Sequence, residues 1–218
     1  VLLFPVLVKK LNWRRLLKIA LVGLGLTTLV LGALYLTSPE MTRASLLANA
    51  KKSSWGTVWA LLDRNIATGN LGPVWERLDP NAAEKPLGNS PVVSPALTLL
   101  SFGILGFWFF TKFRLTNEKK FFGFWGLTWC LFLLWSPGFS PQWIVNLLPM
   151  IFLALPIRRA FLFGAALCLI EISGWPVILS RGWFHLMWIP VTARTLILIL
   201  LVLDFMKVSG IEIRKSTK

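Results

Sequence analysis

Glu171 is a carboxylate set inside an apolar run, about one turn before Gly174-Trp175-Pro176, where a helix is expected to break. A charge at that depth is costly unless paired or wetted, which makes it a candidate for function. Its nearest plausible partner is Arg194, near the outer end of the last apolar run and long enough to snorkel towards water. Between them lie Arg181 and His185, the only histidine of the chain. A guanidinium and an imidazole at headgroup level suit a lipid phosphate or pyrophosphate. A purely structural Glu171–Arg194 pair accounts for the same residues equally well, and a lone histidine is more often structural.

A second constellation is Ser136-Pro-Gly-Phe-Ser-Pro-Gln-Trp-Ile-Val-Asn-Leu-Leu-Pro149. Two Ser-Pro steps and a glycine predict a bent re-entry into the membrane, with Ser140 in the bend and Gln142 heading the next span. Asn146 falls one turn below Gln142, and Pro149 is expected to break the helix deeper still. Polar side chains four apart in a span point into the bundle or a wet cavity. Interhelical hydrogen bonding explains Asn146 as well as ligand contact does; Gln142, at the rim, is the stronger ligand candidate.

The third is a stripe in a polar stretch. Trp55, Val58, Trp59, Leu62 and Ile66 follow helical spacing, with Arg64 opposite and Asp63 on the flank. That pattern predicts a short amphipathic helix in the headgroup plane, tryptophans down, preceded by Lys51-Lys52 and closed by Thr68-Gly69-Asn70. An aromatic belt anchor explains Trp55 and Trp59 best; a platform for the apolar face of a sugar or an isoprenoid chain is the functional alternative. Gly72-Pro73, a polar segment through Trp75, Glu76, Arg77 and Asp79, and a return rich in Pro and Asn follow.

Membrane-spanning helices must position these residues. The composition is 56% hydrophobic, and apolar runs cover Leu16–Leu36, Val92–Thr111 and Pro190–Met206, each near the roughly 20 residues that cross a bilayer. Shorter candidates lie near Phe121–Trp135, Trp143–Ile157 and Ala160–Leu179. The chain opens on VLLFPVLV with no initiator Met, which reads as the tail of another span and the C-terminal part of a longer protein. The expected fold is all-α: a polytopic bundle of about five complete spans plus a truncated first one, forming one membrane domain over residues 1–218.

The net charge of +14 reports sidedness rather than nucleic acid. Lys9, Lys10, Arg14, Arg15 and Lys18 form one cluster; Lys112, Arg114, Lys119 and Lys120 a second; Arg158 and Arg159 a third; Lys207, Arg214, Lys215 and Lys218 a fourth. They fall on alternate connections, as the positive-inside rule requires if all four are cytoplasmic. A nucleic-acid surface would be contiguous and carry reader motifs. The loop of residues 37–91 then faces outward, with the turns 136–141 and 180–189, and residues 207–218 form a cytoplasmic tail.

Several chemistries have no signature here. The two cysteines, Cys130 and Cys168, make neither a disulfide framework nor a metal motif. There is no nucleophile elbow, zinc-binding HExxH or P-loop. Gly23-Leu-Gly25 follows no strand, so close helix packing is its expected role. No cofactor is expected, and no residue set dictates a metal or other divalent cation.

Ser54-Trp55-Gly56-Thr57-Val58-Trp59-Ala60-Leu61-Leu62-Asp63, followed by Ser140-Pro141-Gln142-Trp143, resembles the C-terminal half of bacterial polytopic glycosyltransferases of the C superfamily, closest to the family-87, mannosyltransferase-like type. Phe4-Pro5 with Lys9-Lys10 is similar to a mid-chain span of that group. The resemblance implies a hexosyl, in particular mannosyl, transferase of the bacterial cytoplasmic membrane. Its donor would be a polyprenyl-phosphate sugar and its acceptor a lipid-linked or cell-envelope glycan on the outer face, with membrane lipids the other partners. In that family the catalytic acid belongs to the first outer loop; no position here matches it, so the acid is expected upstream of Val1 and this stretch alone is expected to be inactive. Carried over are supporting roles for Trp55, Trp59, Asp63, Ser140 and Gln142 in lining the donor or acceptor cavity. Glu171, Arg181, His185 and Arg194 join them from the reading of the residues, the last three towards phosphate. The alternatives are a lipid or solute transporter, to which Glu171, Asn146 and broken helices would offer a midplane pathway, and a non-catalytic accessory protein.

Overall fold

A computed structural model describes residues 4–51, 53–66, 79–84 and 88–211. Among them every regular element is helical, and the helix ends follow the local chemistry. Helix α1 is Phe4–Lys10 and α2 is Trp13–Thr37. The Asn12 side chain caps α2 by accepting from the Arg15 amide at 3.0 Å. Helix α3, Pro39–Lys51, starts on a proline whose missing N–H costs nothing at that position. A short α4, Val58–Leu62, precedes a 3-10 turn at Pro80–Glu84. Then come α5 (Pro95–Lys112), α6 (Glu118–Trp135, capped by Asn117), α7 (Gln142–Ala154), α8 (Ile157–Ile172) and α9 (Trp188–Ser209). Gly210, at φ 71°, closes α9 in the left-handed conformation that glycine adopts without strain.

Four helical stretches are long and apolar enough to cross a membrane: Trp13–Thr37, Pro95–Lys112, Ile157–Leu179 and Phe184–Ser209. The protein is a membrane helix bundle. The two other candidate segments are helical as well, as α6 and α7. Helix α6 begins on Glu118, Lys119 and Lys120, and the 13 residues of α7 extend only about 20 Å at 1.5 Å per residue, short of a bilayer by themselves.

Helix α6 packs between α7 and α9. Two glycines on its inner face bring α9 close: a side chain at Gly126 would enter the Phe205 ring, and one at Gly123 would meet Val208 at 2.8 Å. Phe113, just past α5, stacks on Phe124 of α6 at 4.1 Å between ring centres. Helix α7 buries Ile144, Leu147, Met150, Ile151 and Ala154, and runs through Pro149 unbroken, contrary to expectation. The proline removes one bond, that to the Val145 carbonyl, at a cost of about 3 kcal/mol, which the buried apolar face of the helix offsets. Helix α2 is different. None of its residues is buried, and a methyl group at Gly23, Gly25 or Gly32 would touch no atom. Those glycines therefore pack against nothing in the described chain.

Side-chain contacts gather the basic clusters at one end. Lys9 and Lys10 of α1 lie over Phe110 of α5 and Phe121 of α6, at 4.4 and 5.3 Å. The Lys120 ammonium abuts Gly210 past α9, and Arg159 of α8 pairs with Asp204 of α9 at 2.7 Å. The alternation of charge along the chain is thus an alternation of ends. Residues 212–218, with Arg214, Lys215 and Lys218, lie outside the described residues.

Candidate functional site

At the opposite end, the stretch 53–66 is a clasp rather than a helix floating in the headgroups. Only Val58–Leu62 is helical, and Trp55 stands before it, paired with Gly138 in an isolated β-bridge. The Trp55 amide donates to Pro137 O at 3.0 Å, and the Phe139 amide donates to Trp55 O at 3.1 Å. Gly138 has no side chain because the Trp55 ring occupies that space. Thr57 caps α4 and donates its hydroxyl to Pro137 O at 2.9 Å. Trp59 points inward: its Nε1–H donates to Leu134 O at 2.8 Å, and its ring meets Phe102 edge-on. Leu62 and Ile66, meant to complete the stripe, are exposed. The amphipathic spacing is real, but hydrogen bonds to the 134–139 turn outweigh lipid contact for the two tryptophans.

The helix closes on a Schellman motif. The Arg64 amide bonds Leu61 O and the Asn65 amide bonds Ala60 O, at 3.3 and 2.8 Å. This puts Arg64 at φ 60°, a left-handed conformation costing a non-glycine residue roughly 1 kcal/mol. The bonds around it offset that cost. Asp63 is buried and uses both carboxylate oxygens: Oδ2 accepts from Ser54 Oγ at 2.6 Å, and Oδ1 from the Val92 amide at 2.7 Å. Asn65 Nδ2 donates to Ser54 Oγ, while its Oδ1 accepts from the Asn89 amide at 2.8 Å. One carboxylate and two carboxamides thus tie the clasp to the chain entering α5.

Beneath the clasp lies Arg194. Its Nη1 reaches both Glu171 oxygens, at 3.1 and 3.4 Å. Its Nη2 donates to Gly56 O, and its guanidinium lies 3.5 Å from the centre of the Phe139 ring. Arginine and glutamate are both buried. A single side chain of α9 therefore fastens α8, the clasp and the 136–141 turn. Just past Glu171 the helix does not break at Gly174-Trp175-Pro176 as expected; it continues as a π-helical stretch, Ser173–Leu179, with Pro176 inside it. The wider coil lets the helical stretch run past the proline.

The candidate residues separate into three sets. Trp55, Trp59, Asp63, Glu171 and Arg194 all take part in fastening the clasp, and Asp63, Glu171 and Arg194 spend their charges inside the protein. Arg181 and His185 sit on the exposed tip between the π turn and α9, with Arg181 5.1 Å from the Trp183 ring. Ser140 and Gln142 form the third set, with Asn146: Gln142 and Asn146 are exposed on one face of α7. No hydrogen bond to any of the three side chains occurs among the described residues. Asn146 thus makes no interhelical bond among the described residues.

Several residues escaped the sequence reading. Asn65 and Asn89 signalled only turn propensity, and the need for glycine at Gly138 arises from a tryptophan 83 positions away. Asp204 stands in the last apolar run and could have been noticed as an intramembrane carboxylate, near the basic end opposite Arg159. Cys130 is buried and Cys168 exposed, both free. Among the described residues no cluster of histidine, cysteine and acidic side chains could hold a metal. The Thr68-Gly69-Asn70 closure, Gly72-Pro73, the Trp75–Arg77 segment and Pro86 lie outside the described residues.

Searches against protein-family models, curated proteins and solved structures match nothing to this chain.

Proposed function

We propose that this chain is part of a membrane glycosyltransferase that takes a hexose from a polyprenyl-phosphate donor and passes it to a lipid-linked or cell-envelope acceptor on the face opposite the basic end. The observation that carries the reading is the exposed Gln142–Asn146 pair on α7. Two carboxamides one turn apart, about 6 Å along the axis, offer donors and acceptors with no partner among the described residues. In a span, such groups face a wet cavity or a polar ligand, and sugar hydroxyls match them. The clasp supports the same reading, since it is bonded to the turn at Pro137–Phe139 that leads into α7 and stiffens the end of the bundle where Gln142 stands. On the exposed tip, Arg181 and His185 are free to meet a departing phosphate, whose developing charge cations stabilise. Removal of the acceptor proton falls to a base.

Arg194 changes role in this reading. With its guanidinium on Glu171, Gly56 and Phe139, it positions the wall rather than binding phosphate. The same pairing weakens the carrier alternative, because the Glu171 carboxylate that suggested a midplane pathway is engaged.

The test uses the native membrane protein in proteoliposomes with labelled polyprenyl-phosphate hexose and membrane-derived acceptor. Label appearing in the acceptor is the expected result. Label crossing the bilayer without transfer would make the protein a carrier, and neither event would leave an accessory role.

A further inference from the structure

At the basic end, α1, the start of α6 and the turn after α5 enclose an open cavity of about 350 Å³. Lys10 forms one wall, Phe121 and Phe122 another, and the turn through Leu115, Asn117 and Glu118 the rest. The position matters. Contacts from Lys9 to Phe110 and from Lys10 to Phe121 place it where the apolar helices give way to their charged ends. Lys9 and Lys10 make no ion pair among the described residues; their ammonium groups rest on aromatic faces with N–H bonds to spare. Arg14, Arg15, Lys18, Lys112, Arg114 and Lys119 stand exposed at the same end. Glu118 is the one acidic group on the rim, with its carboxylate likewise unpaired among the described residues.

We infer that this cavity is a binding site for an anionic phospholipid whose headgroup carries a hydroxyl, of the phosphatidylglycerol type. Lys10, on the cavity wall, takes the phosphate, with Lys9 beside it on α1 outside the lining, and Glu118 accepts from the headgroup hydroxyl. One acyl chain follows Phe121 and Phe122 into the hydrocarbon. A cationic rim above an aromatic wall matches a molecule that is charged at one end and apolar along its length. A free phosphate would use only the rim. The diffuse field of the other basic residues draws anionic lipid to this end of the bundle; the cavity decides where one molecule stays. This inference stands independently of the transferase reading, since it concerns the other end of the bundle.

Native mass spectrometry of the intact protein released from detergent is the direct test. Dioleoyl-phosphatidylglycerol, -phosphatidylethanolamine and -phosphatidylcholine are offered in turn. The wild type is expected to retain one phosphatidylglycerol in clear preference to the other two. Lys9→Gln with Lys10→Gln should cut that retention at least tenfold. Arg158→Gln with Lys207→Gln removes the same charge from the same end, away from the cavity, and should leave retention within twofold. Leu115→Trp, which fills the cavity and keeps every charge, should abolish it. Equal loss in the two glutamine pairs would mean attraction by the field alone and overturn the site. Preference for phosphatidylethanolamine, or displacement by millimolar inorganic phosphate, would overturn the ligand.

Discussion

Replacing Arg194 with methionine keeps most of the side-chain volume and removes one charge. Glu171, buried and reached by Arg194 Nη1 at 3.1 and 3.4 Å, would be left without its counter-ion. Breaking a buried pair from one side costs about 3–5 kcal/mol. The Gly56 carbonyl loses its donor in the same step, a loss of about 1–3 kcal/mol if no water replaces it. These terms overlap, so we expect a total near 4 kcal/mol, or about a thousandfold in the unfolding equilibrium at 1.4 kcal/mol per tenfold. Glu171→Leu with Arg194→Met removes both charges, and the double variant should lie within about 2 kcal/mol of the wild type. Unfolding by sodium dodecyl sulfate in mixed micelles measures the stabilities. Protease cleavage within residues 53–66 reports the clasp separately, and in Arg194→Met it should quicken before the bundle unfolds. The reasoning fails if Arg194→Met is as stable as the wild type with its clasp equally protected. It fails equally if the double variant is as unstable as the sum of the singles, since the two charges would then not be coupled.

Other outcomes follow from single contacts. Asp63→Asn leaves one of Ser54 Oγ and the Val92 amide without a good acceptor and should destabilise the clasp by about 1–3 kcal/mol; lost transfer with an intact clasp would instead show that Asp63 meets substrate. Arg64→Gly relieves the left-handed strain and should stabilise the protein by up to about 1 kcal/mol, read as a shift in the same unfolding curve. Asn146→Leu breaks no side-chain hydrogen bond among the described residues, so stability should hold or rise while sugar transfer falls severalfold; unchanged transfer would remove Asn146 from the ligand surface. With Cys130 and Cys168 replaced by alanine, a cysteine at position 181 should react with an impermeant maleimide from outside intact cells, and one at position 112 only after permeabilisation. The reverse pattern would invert the topology.

How much was legible in the sequence differs from feature to feature. Glu171 and Arg194 were readable as partners because an intramembrane charge has few ways to exist, and the structure pairs them. Trp55 and Trp59 were readable as anchors of some kind, yet helical spacing aimed them at lipid. Their actual partners, Gly138 and Leu134 O, lie about 80 positions along the chain, on a turn that says nothing local about tryptophan. Gly23 and Gly25 illustrate the converse: small residues permit close packing, but only a neighbouring helix makes use of them, and none in the described chain does.

The sequence by itself determined that this is a membrane helix bundle, and which connections share a face. Both follow from constraints summed along the chain, because lipid demands long apolar helices and the charge clusters alternate between ends. The tertiary structure alone decided which polar groups are spent and which are free. Asp63, Glu171 and Arg194 are consumed in holding the clasp, while Gln142, Asn146, Arg181 and His185 remain exposed. Hydrogen-bond capacity is finite, and whether a group has any left depends on neighbours that the chain delivers from far away.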